Sequence, residues 1–220
     1  KLKNESKKIS IIGELKRASP SLGKFAKNNI NLEDIAKIYE QNKISCLSVL
    51  TDEKYFNGKI GDLINIKKNS NLPILRKDFI VDEYQIYESK LIGADCILII
   101  LSMINQNNAD KFYEIANDLE MDSIIEVHNN EEFRRALKMN SKMIGINNRN
   151  LNNFITDLDV TINLVKNIES KENLLISESG FQGKLDIDRV NRETGINNFL
   201  IGEFLMKSKN LELHIKELLK

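Results

Sequence analysis

Long apolar segments are absent from this 220-residue sequence. A bilayer-spanning helix needs about 18 to 20 consecutive apolar residues, and no such run occurs, so the sequence predicts no membrane partner. There is also no excess of one charge, because 32 basic side chains balance 32 acidic ones. Without a basic field, the sequence predicts no nucleic-acid partner. Residues 1–8 are polar and lack the apolar core of a signal peptide.

Cysteine and histidine are scarce, with two of each. Cys46 and Cys96 lie inside apolar runs without motif spacing, which favours buried thiols over a disulfide and indicates a reducing compartment, the cytoplasm by default. The two histidines are far apart, so the sequence predicts no metal site. Ser19 and Ser179 lack a matching His–Asp arrangement, which argues against nucleophilic hydrolysis. No dinucleotide fingerprint or P-loop occurs.

Short apolar runs alternate with amphipathic segments along the whole chain. Eight runs are candidate strands: Ser10–Leu15, Cys46–Leu50, Pro73–Leu75, Cys96–Leu101, Ser123–Val127, Met143–Ile146, Leu174–Ile176 and Asn198–Ile201. Several are apolar without alternation, as expected for parallel strands buried on both faces. Eight strand–helix units of about 27 residues predict an α/β protein, a single-domain (β/α)8 or TIM barrel over residues 1–220. An open doubly wound sheet is the alternative.

Helices are predicted between the strands from apolar residues at helical spacing. The predicted segments are Leu32–Gln41, Asp82–Ile92, Ala109–Leu119, Glu131–Met139 and Leu158–Ile168. Asp82 and Asn130 are the predicted N-caps.

Charged and polar side chains follow most of the predicted strands. They include Glu14, Lys16, Lys77, Glu126, Asn147, Arg149, Glu178, Ser179 and Glu203. In a barrel these strand ends surround one mouth, where active sites of this fold lie. Two lysines and three glutamates there would perturb one another's proton affinity, which suits general acid–base catalysis. We rank formation of a Schiff base by Lys16 or Lys77 below general acid–base catalysis.

Further residues at the strand ends indicate what such a site would bind. Gly180 and Gly202 permit close backbone approach to an anion, and phosphate capture after the last two strands is recurrent in this fold. Arg149 offers a planar fork for a carboxylate. A lone histidine at a strand end, such as His128, is more often structural. The residues alone therefore predict an enzyme for a phosphorylated, carboxylated small molecule.

Three segments closely resemble indole-3-glycerol phosphate synthases: residues 13–21 (GELKRASPS), 48–58 (SVLTDEKYFNG) and 75–80 (LRKDFI). Shorter matches follow in order, namely residues 93–95, 126–128, 144–151, 177–180 and 199–202. The resemblance implies a barrel enzyme of tryptophan biosynthesis, a carboxy-lyase without cofactor. It would convert 1-(2-carboxyphenylamino)-1-deoxyribulose 5-phosphate, a phosphorylated anthranilate, to indole-3-glycerol phosphate, carbon dioxide and water.

The resemblance also implies catalytic roles for four residues. Lys77 matches the general acid that protonates the substrate carbonyl oxygen during ring closure. Lys16 and Glu14 match a second acid–base pair, and Glu126 matches the residue that stabilises cationic intermediates. The division of the late proton transfers among Lys16, Glu14 and Glu126 stays open.

The binding positions implied by the resemblance fall into groups. Those for the anthranilate ring and its carboxylate are Ser19, Asn147 and Arg149, with apolar walls from Phe56, Phe79 and Leu151. Those near the ribulose hydroxyls are Glu178 and Ser179, and those for phosphate are Gly180, Gly202 and the backbone N–H of Glu203.

The sequence departs from the family in three places, one of which is the turn Gly180-Phe181-Gln182-Gly183 with its polar Gln182 and its Gly183. The family carries an N-terminal extension, and here only Lys1 to Ser10 precede the first strand, so a short or missing extension is expected. Glu203 stands where serine is frequent, and an acidic side chain there would repel phosphate unless it points away.

Three alternatives stay open. Phosphoribosylanthranilate isomerase would need a cysteine base at a strand end, whereas Cys46 and Cys96 begin their strands. A non-catalytic barrel would be expected to have lost Lys77 or Glu126. Fusion to, or association with, a neighbouring tryptophan-pathway enzyme is also left open.

Overall fold

The computed structural model describes residues 2, 8–19, 23–24, 31–166 and 173–220. The expectation of a short or missing N-terminal extension concerns a segment of which only Leu2 and the residues from Lys8 onward are described. Pro20 and Ser21 of the first motif, and the end predicted at Ile168 for one helix, lie outside the described residues.

Eight parallel strands form a closed barrel in chain order, with the last strand paired to the first. They are β1 (Ser10–Leu15), β2 (Cys46–Leu50), β3 (Ile74–Lys77), β4 (Cys96–Ile100), β5 (Asp122–Val127), β6 (Met143–Asn147), β7 (Leu174–Glu178) and β8 (Asn198–Ile201). The predicted (β/α)8 barrel is confirmed, and the open-sheet alternative is wrong.

Three strands, β3, β6 and β7, run further toward the mouth than the apolar pattern predicted. Lys77 pairs with Leu50 in register, and Glu178 pairs with Asn147. Polar side chains, namely Arg76, Asn147 and Ser177, ended the apolar runs, although backbone pairing with the neighbouring strands continues through Lys77, Asn147 and Glu178. These three site residues, expected after the strands, therefore belong to the sheet.

Ten described helices accompany the strands. They are α1 (Leu32–Gln41), α2 (Glu53–Phe56), α3 (Ile60–Asn69), α4 (Glu83–Leu91), α5 (Gln106–Asp118), α6 (Asn130–Lys138), α7 (Asp159–Lys166), α8 (Lys184–Thr194), α9 (Glu203–Met206) and α10 (Leu211–Leu218). After β1, two short segments of two residues each, Ala18–Ser19 and Gly23–Lys24, pair in an antiparallel direction.

One of the two predicted N-caps is confirmed. Asp82 caps α4 in a capping box with Gln85. The prediction for Asn130 is wrong, because Asn129 caps α6 by accepting a hydrogen bond from the backbone of Glu132. Both asparagines are chemically suited to the role, and only the backbone turn selects between them.

The core has two layers. One cluster fills the barrel interior and includes Ile12, Leu98 and Ile176, and a larger one lies between the strands and the helices. Cys46 and Cys96 are not linked in a disulfide and pack against the interior cluster. They are half-buried rather than fully buried as predicted, because they begin their strands at the end of the barrel opposite the mouth. No helix of the described ranges combines the length and apolarity needed to cross a bilayer.

Candidate active site

A cavity of about 670 Å³ lies at the carboxyl ends of the strands. All the predicted site residues except Glu178 line it: Glu14, Lys16, Ser19, Phe56, Lys77, Phe79, Glu126, Asn147, Arg149, Leu151, Ser179, Gly180, Gly202 and Glu203. The barrel therefore collects side chains from across the sequence into one pocket, at the end where this fold carries its active sites.

Lys77 joins two carboxylates from strands far apart in the sequence. Its Nζ lies 3.3 Å from Oε2 of Glu14 and 3.2 Å from Oε2 of Glu178. Burial disfavours the charged amine, but the carboxylates of Glu178 and Glu14 outweigh it and raise the pKa of Lys77 above its ordinary value. Lys77 is therefore a cation at neutral pH and holds a proton toward the cavity.

Glu14 and Lys16 form a second ion pair at the end of β1. Residues two apart in an extended chain share one face, so both side chains point into the cavity. Burial opposes ionisation of Glu14, but Lys16 and Lys77 outweigh it and lower the pKa of Glu14 to about 2. Glu14 therefore stays a carboxylate and bridges the two lysines.

Glu178 lies beneath the cavity rather than on its wall. Its side chain is fully buried, and Oε1 has no hydrogen-bond partner among the described residues. Burial and the nearby carboxylates of Glu126 and Glu14 outweigh the attraction of Lys77 and raise the pKa of Glu178 to about 7. Its carboxylate contacts Lys77 through Oε2, and Oε1 fills the space beside Gly145, where a Cβ would lie 2.0 Å away.

Glu126 is a nearly fully buried carboxylate with two close partners. Oε1 accepts a hydrogen bond of 3.1 Å from Nδ2 of Asn147 and lies 3.2 Å from Nε2 of His128. Burial opposes its ionisation, but His128 and Lys77 outweigh it and lower the pKa of Glu126. The amide of Asn147 is itself oriented, because its Oδ1 accepts from the backbone N–H of Arg149 at 3.0 Å.

Arg149 and Glu203 face each other on the cavity wall. Nη2 of Arg149 lies 3.2 Å from Oε2 of Glu203, and Nη1 donates to the carbonyl of Phe154 at 2.9 Å. Oε1 of Glu203 also accepts from Lys207 at 2.8 Å. The Glu203 carboxylate thus faces two cations, Arg149 and Lys207, whose positive charges compensate its negative charge.

An aromatic surface lines another part of the cavity. The rings of Phe56 and Phe79 are 6.2 Å apart, and the ring of Tyr55 meets Phe79 edge to face at 5.9 Å. Leu151 and Phe154 add apolar side chains that are partly exposed. Charged groups and apolar walls therefore enclose the same space, as a ligand with an aromatic ring and anionic groups requires.

The glycines at the mouth have different structural roles. Gly180 has φ +89°, in the left-handed region that favours glycine. At Gly202 a Cβ would come within 2.0 Å of Oε1 of Glu14. The missing side chain at Gly202 therefore leaves room for the Glu14 carboxylate.

Two polar residues that support the site from outside the cavity, His128 and Asn148, were not identified as functional from the sequence. His128 was set aside as structural, and Asn148 was not singled out within the asparagine-rich run. The Asn148 amide donates to the Ser177 hydroxyl at 3.0 Å and to the Ser179 carbonyl at 3.1 Å, and its Oδ1 accepts from Thr161. A polar residue directly after a strand was the available signal for both.

The fold and the site together define the class of protein. A closed (β/α)8 barrel holds paired lysines and carboxylates in one enclosed cavity at the carboxyl ends of its strands. This is the arrangement of a barrel enzyme that works by acid–base chemistry.

Comparison with known proteins identifies the family. A family model described as indole-3-glycerol phosphate synthase matches residues 1–218. A protein of that name from Clostridium kluyveri is 49% identical over 199 residues, covering 90% of this chain and 74% of the relative. One from Legionella pneumophila is 44% identical over 210 residues, covering 96% of this chain and 80% of the relative. The chain belongs to the indole-3-glycerol phosphate synthase family.

Proposed function

We propose that the cavity around Lys77 is the active site in which this chain carries out the reaction of its family. The family's enzymes are carboxy-lyases of tryptophan biosynthesis, and this chain acts on a small phosphorylated substrate. The reaction closes the indole ring and releases carbon dioxide and water. The observation that carries the assignment is the position of Lys77, a buried cation between two carboxylates beside an aromatic wall.

Ring closure is assigned to Lys77. The aromatic carbon attacks the substrate carbonyl carbon, a carbon–carbon bond forms, and the carbonyl oxygen takes a proton from Nζ of Lys77. Glu14 and Glu178 keep Lys77 charged beforehand, so the proton is in place when negative charge develops on the oxygen. Phe56, Phe79 and Leu151 hold the ring in attack geometry, which is where much of the rate gain of a cyclisation originates.

Decarboxylation follows from the cationic intermediate that ring closure leaves. The carbon–carboxylate bond breaks, carbon dioxide departs, and the bonding electrons neutralise the cationic ring system. The anionic carboxylate of Glu126, lining the cavity, stabilises the positive charge before that step. Ser19, Asn147 and Arg149 orient the carboxylate group that leaves, with the Arg149 guanidinium as its charged partner.

Dehydration is assigned to the Lys16–Glu14 pair together with Glu126. A hydroxyl departs as water after taking a proton from a lysine, and a carboxylate removes the ring proton to complete the indole. Lys16 is the nearest acid to Glu14, and both line the cavity. Glu14 and Glu126 are the two carboxylates that can accept the ring proton.

The phosphate and the ribulose hydroxyls are assigned to the last two strand ends. The phosphate is assigned to the backbone at Gly180, Gly202 and Glu203, and the charge of the Glu203 side chain is balanced by Arg149 and Lys207. Ser179 reaches the hydroxyls from the wall. Glu178 contacts Lys77 and does not line the cavity, so we assign it the indirect role of keeping Lys77 charged.

The cellular setting is proposed on separate grounds. Cys46 and Cys96 are not linked in a disulfide, which suits a reducing compartment such as the cytoplasm. Association with neighbouring enzymes of the pathway is a further proposal, tested by co-purification from a cell extract.

The decisive experiment measures formation of the fluorescent indole product by the purified protein, without added metal or nucleotide. Lys77→Ala should lose turnover by roughly 100-fold or more, the usual contribution of a positioned acid. Product binding should persist, because the phosphate and ring contacts remain. Lys111→Ala, which removes an exposed lysine paired with Glu83, is the matched control and should retain wild-type turnover. Full activity in Lys77→Ala would reject the assignment.

A further inference from the structure

His128 contacts a carboxylate of the cavity without lining the cavity itself. It follows β5, and its Nε2 lies 3.2 Å from Oε1 of Glu126, while its Nδ1 lies 3.1 Å from Oε2 of Glu132. The His128 side chain is 14% exposed. Glu126 is a cavity residue and His128 is not, so the imidazole supports Glu126 from behind.

Glu132 is held in place by hydrogen bonds of its own. Its Oε2 accepts from the backbone N–H of His128 at 2.8 Å, and its Oε1 accepts from Nδ2 of Asn129 at 2.7 Å. Asn129 caps α6 by accepting from the backbone N–H of Glu132 at 2.9 Å. The Glu132 carboxylate therefore presents a fixed oxygen to the imidazole and sets the orientation of the ring.

The two contacts of His128 determine its protonation state. A neutral imidazole carries hydrogen on one nitrogen only, so the other nitrogen would point a lone pair at a carboxylate oxygen. Nε2 makes no hydrogen bond of good geometry among the described residues, so its 3.2 Å approach to Oε1 of Glu126 is a contact between charges, which the imidazolium makes favourable. Burial opposes the charge, but contact with Glu126 and Glu132 outweighs it and raises the pKa of His128 to about 9.

The ionisation of the Glu126 carboxylate depends on His128 more than on its other neighbours. Among the ion pairs of the described residues, the one that Glu126 forms is with His128. Lys77 also attracts Glu126, but its close contacts are with Glu14 and Glu178. Asn147 donates a hydrogen bond without carrying charge. Removing the imidazolium would leave a buried carboxylate without an ion pair, which favours its protonation.

We propose that His128 is a positioning residue of the reaction: clamped by Glu132, its imidazolium holds the Glu126 carboxylate ionised and oriented toward the cavity. The inference rests on the proposed role of Glu126, since only an ionised Glu126 can stabilise a cationic intermediate or accept a proton. A base oriented by a third group is a recurrent device in enzymes. Here the carboxylate is the working group, and the histidine is its support.

The first test measures the protonation state of the His128 imidazole directly and does not depend on enzyme activity. The chain has two histidines, so an NMR titration shows two imidazoles, and His214→Gln assigns them. His128 should remain charged through neutral pH with a midpoint near 9. Glu132→Gln should lower that midpoint by about one unit or more, since it removes one of the two carboxylates. A midpoint at or below the ordinary value of 6.5 overturns the proposal.

The second test measures kinetics against pH. His128→Gln keeps an N–H donor but loses the charge, so kcat should fall by roughly 10-fold or more with little change in KM. The acidic limb of the kcat profile should move to higher pH, because Glu126 takes up a proton more readily. His128→Leu should be slower than His128→Gln. Glu132→Gln should move the limb in the same direction while retaining the imidazole itself.

Two control variants separate this role from general effects of substitution. His214→Gln changes the other histidine, which contacts Ser208, and Glu131→Gln changes an exposed carboxylate in the same helical turn as Glu132. Both should keep the wild-type acidic limb. An inactive wild type would reject the proposed function. An active His128→Gln enzyme with an unmoved acidic limb would reject the role of His128 instead.

Discussion

The carboxylate of Glu14 occupies the space in which Gly202 would carry a side chain. A Cβ on Gly202 would lie 2.0 Å from Oε1 and 2.7 Å from Cδ of Glu14. β1 and β8, the first and last strands of the barrel, pair with each other. The contact between Gly202 and Glu14 therefore lies at the mouth where the barrel closes. The glycine therefore sets the position of the carboxylate that bridges Lys16 and Lys77.

Gly202→Ala should displace Glu14 and disrupt both of its ion pairs. We expect kcat to fall by roughly 10-fold or more, since small misplacements of catalytic groups are costly. Gly61→Ala is the matched control, because a Cβ there meets no atom within 4 Å. It should preserve kcat and gain up to about 1 kcal/mol of stability from helix propensity. Steady-state kinetics and urea unfolding test both variants, and unchanged kcat in Gly202→Ala would contradict the positioning of Glu14.

Arg149→Ala should weaken substrate binding more than it slows turnover. Loss of a charged hydrogen-bond partner costs about 1.5–3 kcal/mol, which corresponds to a KM raised by about 10- to 100-fold. Arg189→Ala removes an arginine that pairs with Asp159 and does not line the cavity. That control should leave KM at the wild-type value. An unchanged KM in Arg149→Ala would count against its role as carboxylate ligand.

Glu203→Gln should strengthen binding, because it removes the carboxylate that competes with the substrate for Arg149. The ion pair is partly exposed, and such pairs are worth about 0.2–1 kcal/mol, so KM should fall by at most about five-fold. Glu212→Gln alters an exposed carboxylate that pairs with Lys216 on α10 and serves as the control. A raised KM in Glu203→Gln would show that the Glu203 carboxylate assists binding rather than competing with it.

The buried carboxyl of Glu178 should make stability fall as pH rises. Its pKa is about 7 in the folded chain against an ordinary 4.5. Between these values the folded state retains a proton that the unfolded state has lost, so the free energy of unfolding decreases with rising pH. Relative to Glu178→Gln, the wild type should lose up to about 3 kcal/mol across this window.

Urea unfolding across the same pH window measures the difference between wild type and Glu178→Gln. Glu114→Gln, an exposed carboxylate on α5, is the control and should track the wild type. A difference between wild type and Glu178→Gln that stays constant with pH would refute the raised pKa of Glu178.

Asn148→Asp should destabilise the loop that carries Ser179. The substitution replaces the amide N–H donors to the Ser177 hydroxyl and the Ser179 carbonyl with an acceptor. Unsatisfied buried groups cost about 1–3 kcal/mol each, so the free energy of unfolding should drop by roughly 2 kcal/mol or more. Asn150→Asp preserves the Oδ1 that accepts from Asn152 and Asn153, and its stability should stay close to wild type. Equal stabilities of the two variants would contradict the stabilising role of the Asn148 amide.

Much of the fold was predictable because its signals are local. The apolar runs located all eight strands, and Asp82 marked the start of α4 correctly. The errors lie where local chemistry is ambiguous, as between Asn129 and Asn130, or where a charged residue such as Lys77 continues a strand. Periodicity reports which side chains are buried, and it does not report where backbone pairing stops.

The sequence by itself determined the alternation of strands and helices, the charged residue types at the strand ends and the motifs of the family. Only the tertiary structure decided that Glu178 lies beneath the cavity, that Gly202 makes room for Glu14 and that His128 supports Glu126. Lys77 and Glu178 are 101 positions apart in the chain, yet they are in contact because the barrel closes. Contacts of this kind depend on closure and strand register, which arise from the whole sheet and leave no local pattern in the sequence.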